Sequence, residues 1–284
     1  MAAFRLGMAQ MLVEVGRIEA NLARAEAMIA RAAAEGCSAV VLPECLDVGW
    51  TSPSAHELAQ PIPGRTSDRL AAAAVEAGVH VVAGLTERAR CAASGGERIY
   101  NSAVLLAPSG EILLRHRKIN VLSIAQDLYA VGDSVEVAET PLGTIGIPIC
   151  ADDFASSLAI GHCLARMGAQ MILSPCAWAM PAEHDNEAQP YGQTWLTSFG
   201  ELARLYDLTV VGVSNVGWIA GGPWDGRKCI GCSLAMAPGG EVLLHAPYGV
   251  DAEDLFVVEI EPRPPIARGT DFPAALKARG YEGP

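Results

Sequence analysis

Three residues of this 284-residue chain carry the parts of a nucleophilic acyl-transfer site. Glu44 lies in VVLPECLDVGW, Lys118 in LRHRKIN and Cys150 in IGIPICADDF. Each ends an apolar run that reads as a buried strand, and each strand end then presents one capable group: a carboxylate, an ammonium and a thiol. A base, a cation and a soft nucleophile are what an attack on an electrophilic carbon needs, with the cation holding the negative charge that develops on oxygen. The thiolate is the reactive form and a free thiol is mostly protonated at neutral pH, so a carboxylate that meets Cys150 would take its proton. Burial against apolar walls would raise the Glu44 pKa and suit it to that work. Each residue also has a plainer use. Glu44 could be a helix cap or surface turn, Lys118 a solvated edge-strand lysine and Cys150 an inert buried thiol. Their joint placement at strand ends favours the chemical reading.

The elements that must hold these strand ends alternate along the chain. Strands are expected at Phe4–Met11, Ala39–Leu42, His80–Gly84, Thr144–Cys150, Gln170–Ser174, Leu208–Ser214 and Phe256–Ile260. Helices are expected at Arg17–Glu35, ending at Gly36, at Ser67–Ala77, closed by Gly78, at Ser156–Met167 and at Thr194–Tyr206. Two hairpins are expected, Tyr100–Ala107 with Ile112–Arg117 and Ser233–Ala237 with Glu241–His245. Their strings, SAVLLAPSGEILLRH and CSLAMAPGGEVLLHA, share a Pro-x-Gly-Glu turn that points to two related sheet halves or merely to common turn formers. The mixture indicates an α/β layered fold with parallel and antiparallel pairs.

Composition narrows the function. The chain is 51% hydrophobic, enough for one large core, and no linker or low-complexity segment divides it; the Gly221–Gly226 stretch is too short. One domain over residues 1–284 is therefore expected. A net charge of −12 argues against nucleic acid and against an anionic membrane surface as partners. No apolar stretch approaches the ~20 residues of a membrane helix, and the N-terminus lacks a signal-peptide layout. Eight scattered cysteines without an export signal read as reduced thiols, so the expected compartment is cytoplasmic. Cys229-Ile-Gly-Cys232 lacks a second ligand pair for a metal, and none of the six His marks a Cys–His hydrolase. No metal or cofactor is expected.

Along essentially its whole length the sequence resembles the nitrilase superfamily of carbon–nitrogen hydrolases, on the strings LPEC, HRKIN and PICAD. The resemblance implies a four-layer α-β-β-α sandwich with two mixed sheets. It also implies a Glu44-Lys118-Cys150 triad acting through a thioester acyl-enzyme, and a homodimer or larger assembly. In such a site Lys118 and a backbone N–H near Cys150 would hold the oxyanion. Ala151-Asp152 after the cysteine resembles the amidase-like branch rather than the Trp-Glu of nitrile-cleaving members. No Arg follows to grip a substrate carboxylate as in carbamoylases. The ranking is therefore amidase on a small carboxamide, then nitrilase, then N-carbamoyl amidohydrolase, with a non-catalytic scaffold bearing a relic triad kept as the non-enzyme alternative. Asp152 and Asp153 could equally serve the positive end of a following helix.

Family members often carry a further Glu between the Lys and the Cys. Here SIAQDLYAVGDS holds none, and Asp127 is the nearest stand-in, or else a solvated loop residue. Trp50, Asn101, Ala151 and Trp178 are candidate substrate contacts, with core roles equally open for Trp50, Asn101 and Trp178. The 181–192 loop, with Glu183, His184 and Asp185, reads as solvated or as a lid. The Pro-rich C-terminal stretch resembles tails that cross a dimer interface.

Overall fold

The apolar runs become two six-stranded mixed sheets. The computed structural model describes residues 2–91, 95–268 and 274–281. The first half of the chain runs β1 (Phe4–Gln10), α1 (Ile18–Ala34), β2 (Cys37–Val41), α2 (Ala55–Leu58), α3 (Arg65–Ala77), β3 (His80–Arg90), β4 (Glu97–Leu106) and β5 (Ile112–Arg117). The second runs β6 (Ala138–Thr140), β7 (Gly143–Gly146), α4 (Ala159–Arg166), β8 (Met171–Cys176), β9 (Ala179–Met180), α5 (Gln193–Tyr206), β10 (Thr209–Ser214), β11 (Val216–Trp218), β12 (Lys228–Ile230), β13 (Leu234–Met236), β14 (Val242–His245), β15 (Asp254–Ile260) and α6 (Ala274–Ala278).

The sheet orders are β15-β1-β2-β3-β4-β5 and β14-β13-β10-β8-β7-β6. In the first, β1, β2 and β3 are parallel while β15, β4 and β5 run antiparallel to their neighbours. In the second, β7, β8 and β10 are parallel while β6, β13 and β14 run antiparallel. Both halves thus repeat one order: an antiparallel edge strand, three parallel strands, then a hairpin. The two matching turns sit at equivalent places, in β4–β5 and β13–β14.

Strand periodicity explains the layers. On β2, Val41 joins the cluster between the sheets, with Leu6, Met8, Met171 and Leu173, while Val40 joins the cluster beneath α1 and α3, with Leu22, Ile29, Leu70 and Ala74. On β4, Leu105 and Leu106 divide in the same way. A strand buried on both faces must be apolar at every position, which is why these runs do not alternate with polar residues. Phe199 and Leu202 of α5 and Leu164 of α4 extend the central cluster on the far side of the second sheet. Each such side chain contributes about 1.5–3 kcal/mol when fully buried. The result is the expected α-β-β-α order. Helices α1 and α3 end as expected, next to Gly36 and Gly78, which take positive φ of 76° and 68°.

Several boundaries differ from the sequence reading. β3 runs on to Arg90, and β7 stops at Gly146, well short of Cys150. Helix α4 starts at Ala159 because Cys150–Asp153 and Ala155–Ser157 form 3-10 turns ahead of it. A small sheet, β11-β12-β9, was not foreseen; strands of two or three residues leave no periodic signal. Part of the C-terminal stretch is ordered: Leu276 is fully buried, and Arg279 donates to the Arg204 carbonyl of α5 in the same chain at 3.1 Å. The rest of that stretch, residues 269–273, lies outside the described residues. No helix among the described residues is long and apolar enough to cross a membrane.

One close approach fixes the loop after β2. A Cβ on Gly84 would lie 2.5 Å from Glu44 Cα and 2.8 Å from the Pro43 carbonyl oxygen, both backbone atoms that cannot rotate away. Gly84→Ala is therefore expected to lower the unfolding free energy by about 1–3 kcal/mol, measured by equilibrium urea unfolding. An unchanged midpoint would mean that the 42–46 segment yields freely.

Candidate active site

Glu44 sits in the loop that leaves β2, and that loop is tied to both sheets. The Glu44 N–H donates to the Cys176 carbonyl at the end of β8 (3.1 Å), and the Leu46 N–H to the Gly84 carbonyl on β3 (2.9 Å). Asp47 anchors it further. Its buried carboxylate accepts the Thr86 N–H and hydroxyl at 3.0–3.1 Å, and burial pushes its pKa up to about 6 against those donors. Lys118 follows β5, with its N–H donating to the Asn101 carbonyl and its carbonyl accepting the Gly132 N–H, both at 2.8 Å. Gly132 is needed there because a Cβ would collide with the Arg117 carbonyl.

The two loops meet in an ion pair. Lys118 Nζ donates to Glu44 Oε1 at 2.6 Å, and the two side chains are 3% and 1% exposed. Asn101 Nδ2 donates to the same oxygen at 2.6 Å. Glu44 Oε2 is buried with no hydrogen-bond partner among the described residues. Burial disfavours the Lys118 ammonium, but the Glu44 carboxylate outweighs it, with smaller help from Cys150 and Asp152, and its pKa lies above the ordinary lysine value.

Cys150 opens a 3-10 turn with φ of +46°, a left-handed conformation that non-glycine residues adopt at a cost of about 1–3 kcal/mol. Its N–H donates to Ser174 Oγ on β8 (3.0 Å), which in turn donates to Asp153 Oδ2 (2.6 Å). Cys176, also on β8, donates its thiol to the Ser174 carbonyl (3.4 Å), and burial first and then the neighbouring Cys150 hold its own pKa well above the usual range. Asp152 stitches the turn to the Lys118 loop. It accepts the Ile149 N–H (3.0 Å), the Ile119 N–H (3.1 Å), the Asn120 N–H (2.6 Å) and a hydrogen bond with His116 Nε2 (2.8 Å). Burial works against this carboxylate, but His116, then Lys118 and the Asn120 N–H, hold its pKa below the usual range. Asn120 Nδ2 adds a second stitch to the Ala151 carbonyl (2.6 Å).

Lys118 and Cys150 open onto one cavity of about 210 Å³. Four of the chain's five tryptophans wall it: Trp50, Trp178, Trp195 and Trp224, with Phe154 and Tyr191. Two larger hollows, of about 570 and 540 Å³, lie along α1 and α3 and carry none of the three candidate residues.

The predicted contacts are placed unevenly. Trp50 and Trp178 line the cavity. Asn101 does not; it holds Glu44 from behind. Ala151 is fully buried, and its carbonyl is taken by Asn120 and Ser157. Asp127 is exposed on an outer surface beside Gln126 and His56, so the reading of it as a second carboxylate of the site is corrected. The 3-10 turn at Ser123–Ala125 carries it outward, while Tyr129 turns inward, fully buried, and accepts the Thr51 N–H at 3.1 Å. Glu183, His184 and Asp185 do not line the cavity, although Tyr191 at the end of that loop does. The Cys229 and Cys232 thiols are buried and pushed up to about 12, chiefly by burial. No cluster of three or more metal-ligating side chains occurs among the described residues. Sequence reasoning gave Asp152 the narrower role of an end-of-helix acid and passed over Asn120, Ser174, Trp195 and Trp224. The Asn directly after Lys118-Ile119 was the available signal for one of them.

Residues 5–263 match the family model described as carbon–nitrogen hydrolase. An omega-amidase of Xenopus tropicalis is 32% identical over 189 residues, covering 63% of this chain and 66% of that relative, just under two thirds of its length. A nitrilase of Pyrococcus abyssi is 31% identical over 88% of this chain and 89% of its own. Among solved structures, a carbon–nitrogen hydrolase from Helicobacter pylori G27 superposes with a TM-score of 0.79 at 22% identity, covering 92% of this chain and 90% of that one. That last likeness is one of fold.

Asp153 gives the site a pH signature. Burial pushes its carboxyl up to about 8 from 3.8, against the Ser174 hydroxyl and with the neighbouring Asp152 adding to the rise. The folded state therefore keeps a proton that the unfolded chain has released. Stability is full below the unfolded pKa and falls as pH rises from about 4 to about 8. Asp153→Asn mimics the protonated form. It is expected to remove Asp153's share of this fall, seen as a flatter melting temperature between about pH 6 and 8, above the range where Asp47 contributes its own decline. Parallel pH profiles for the two proteins would overturn the assignment.

Proposed function

The chain belongs to the carbon–nitrogen hydrolase family, and on that premise we propose that it is a thiol amidohydrolase that cleaves the C–N bond of a small carboxamide. The observation that carries this reading is the buried 2.6 Å Lys118–Glu44 pair beside a cavity that also bears Cys150. Glu44 Oε2, free of other partners, takes the Cys150 proton. The thiolate adds to the amide carbon, and the oxyanion settles against Lys118 Nζ. The Ala151 N–H is the proposed second donor, since the N–H groups on either side of it already serve Ser174 and the Ile149 carbonyl. Glu44 passes its proton to the leaving nitrogen, ammonia departs, and a thioester to Cys150 remains. Glu44 then takes a proton from water, whose oxygen attacks the thioester. The acid is released, and the proton returns to the thiol. The sum is amide plus water giving acid plus ammonia.

The likeness to an omega-amidase favours an amide over a nitrile. The likeness to a nitrilase keeps the second reading in view, since the same triad could add to a nitrile carbon. A carbamoyl substrate is less favoured, because no arginine lines the cavity among the described residues. A homodimer or larger assembly belongs to the same proposal, and a monomer in light scattering at micromolar concentration would remove it.

The decisive experiment measures ammonia release from amides, nitriles and N-carbamoyl compounds. Amides are expected to react, with Cys150→Ala and Glu44→Gln each losing about 10³-fold or more in kcat. Turnover that survives in Cys150→Ala sinks the thiol mechanism. Acid and ammonia formed from nitriles alone moves the assignment to nitrilase.

A further inference from the structure

The cavity beside Cys150 is apolar, flat-walled and almost without charge. Trp178 and Trp195 stack with centroids 4.7 Å apart at 20°, and Phe154 continues the stack on Trp195 at 5.0 Å and 30°. A second pair, Trp50 and Trp224, packs at 4.7 Å. Among the described residues Lys118 is the one charged side chain lining the cavity, and it is already paired with Glu44. We propose that this cavity selects an uncharged aryl carboxamide of about benzamide size, an inference that rests on the amidase reading above.

Three properties exclude the alternatives. A substrate with a carboxylate besides its amide would bring an anion into an aromatic wall that no arginine lines among the described residues, and burying an unpaired charge is strongly unfavourable. A cationic amide would suit aromatic faces in general, but here it would enter beside the Lys118 ammonium with no carboxylate on the wall. The Arg227 guanidinium moreover already covers the Trp224 ring at 4.4 Å. Size sets the third limit. An apolar cavity of about 150 Å³ holds benzene, so 210 Å³ takes an aryl ring and leaves space for its carboxamide over the sulfur. Planar rings suit walls that present aromatic faces and edges, because offset and edge-to-face contacts are the favoured geometries.

Four of the five tryptophans wall the cavity, so intrinsic fluorescence reports its occupancy. Cys150→Ala protein titrated with benzamide is expected to show saturable quenching, with a dissociation constant at least about tenfold below that for succinamate, the charged comparison. In the parent enzyme benzamide should exceed succinamate in kcat/KM by a similar factor. Trp224→Ala, at a half-exposed position, should lower the benzamide-to-acetamide ratio of kcat/KM, mainly through KM. Equal or tighter binding of succinamate, no quenching by benzamide, or an unchanged ratio in Trp224→Ala would overturn the assignment. Binding of benzamide with no hydrolysis of any amide would support the cavity assignment and count against the amidase reading, so the two can fail separately.

Discussion

A single oxygen, Oε1 of Glu44, receives both the Lys118 ammonium and the Asn101 amide at 2.6 Å where almost no water reaches. Taking two opposite charges out of water costs several kcal/mol per ion, and their attraction repays it only when geometry is tight and the remaining lone pairs are met. Removing one partner leaves the other charge stranded, at about 3–5 kcal/mol. The surroundings read as the means of keeping that geometry. The Asn101 residue that donates to Glu44 through its side chain also accepts the Lys118 N–H through its carbonyl, so one residue sets both partners. Glu44 Oε2 is left without a hydrogen-bond partner among the described residues, an unfavourable arrangement in a buried carboxylate.

The fold brings this pair to the thiol by using its two equivalent halves unequally. The first half supplies the carboxylate after β2 and the ammonium after β5. The second supplies the thiol after β7 and, from β8, the Ser174 hydroxyl that accepts the Cys150 N–H. Several of the bonds between the halves meet at the site. The Glu44 N–H reaches the Cys176 carbonyl, and Asp152 gathers N–H groups from both the Lys118 loop and the Cys150 turn. Asp152 is therefore as much a positioning residue as any in the site, because it sets how far the ammonium stands from the sulfur.

Much of this was legible in the sequence. Runs such as Val40-Val41-Leu42 and Met171-Ile172-Leu173 read as strands buried on both faces, and Glu44 follows the first of them. What failed did so for identifiable reasons. Thr144–Cys150 looks like one strand because Ile145, Ile147 and Ile149 are all buried, yet ladder pairing stops at Gly146 and the last residues stay apolar only to fill the space between the sheets. Asp127 was favoured by its position before Gly132. Periodicity cannot foresee a three-residue 3-10 turn that points it outward and Tyr129 inward. Asp152 was read locally, as an acid at a helix start, because its partners lie more than thirty residues upstream at Ile119 and Asn120. Trp195 and Trp224 meet in the cavity from α5 and from a loop about thirty residues apart, and nothing in either local string says so.

The break of β7 before Cys150 has its own logic. Had the strand continued, the Cys150 N–H and carbonyl would have been spent on the β8 ladder, and the side chain would have alternated away from Ile147 and Ile149 onto the face that Gly146 turns to Leu164 of α4. The chain instead leaves the ladder and turns at φ +46°, giving its N–H to the Ser174 side chain. That turn places the sulfur at the cavity wall while leaving it only 8% exposed. The strained backbone is held by bonds made elsewhere, from Ser174 through Asp153 and from Asp152 to the Lys118 loop. Those bonds use carboxylates buried beyond the reach of water, one held anionic by His116 and Lys118 and one driven towards its neutral form. Two adjacent aspartates could not both stay charged at that depth. Their divergence lets one loop anchor meet N–H donors while the other, protonated, supports the Ser174 hydroxyl that accepts the Cys150 N–H without placing a second negative charge beside it.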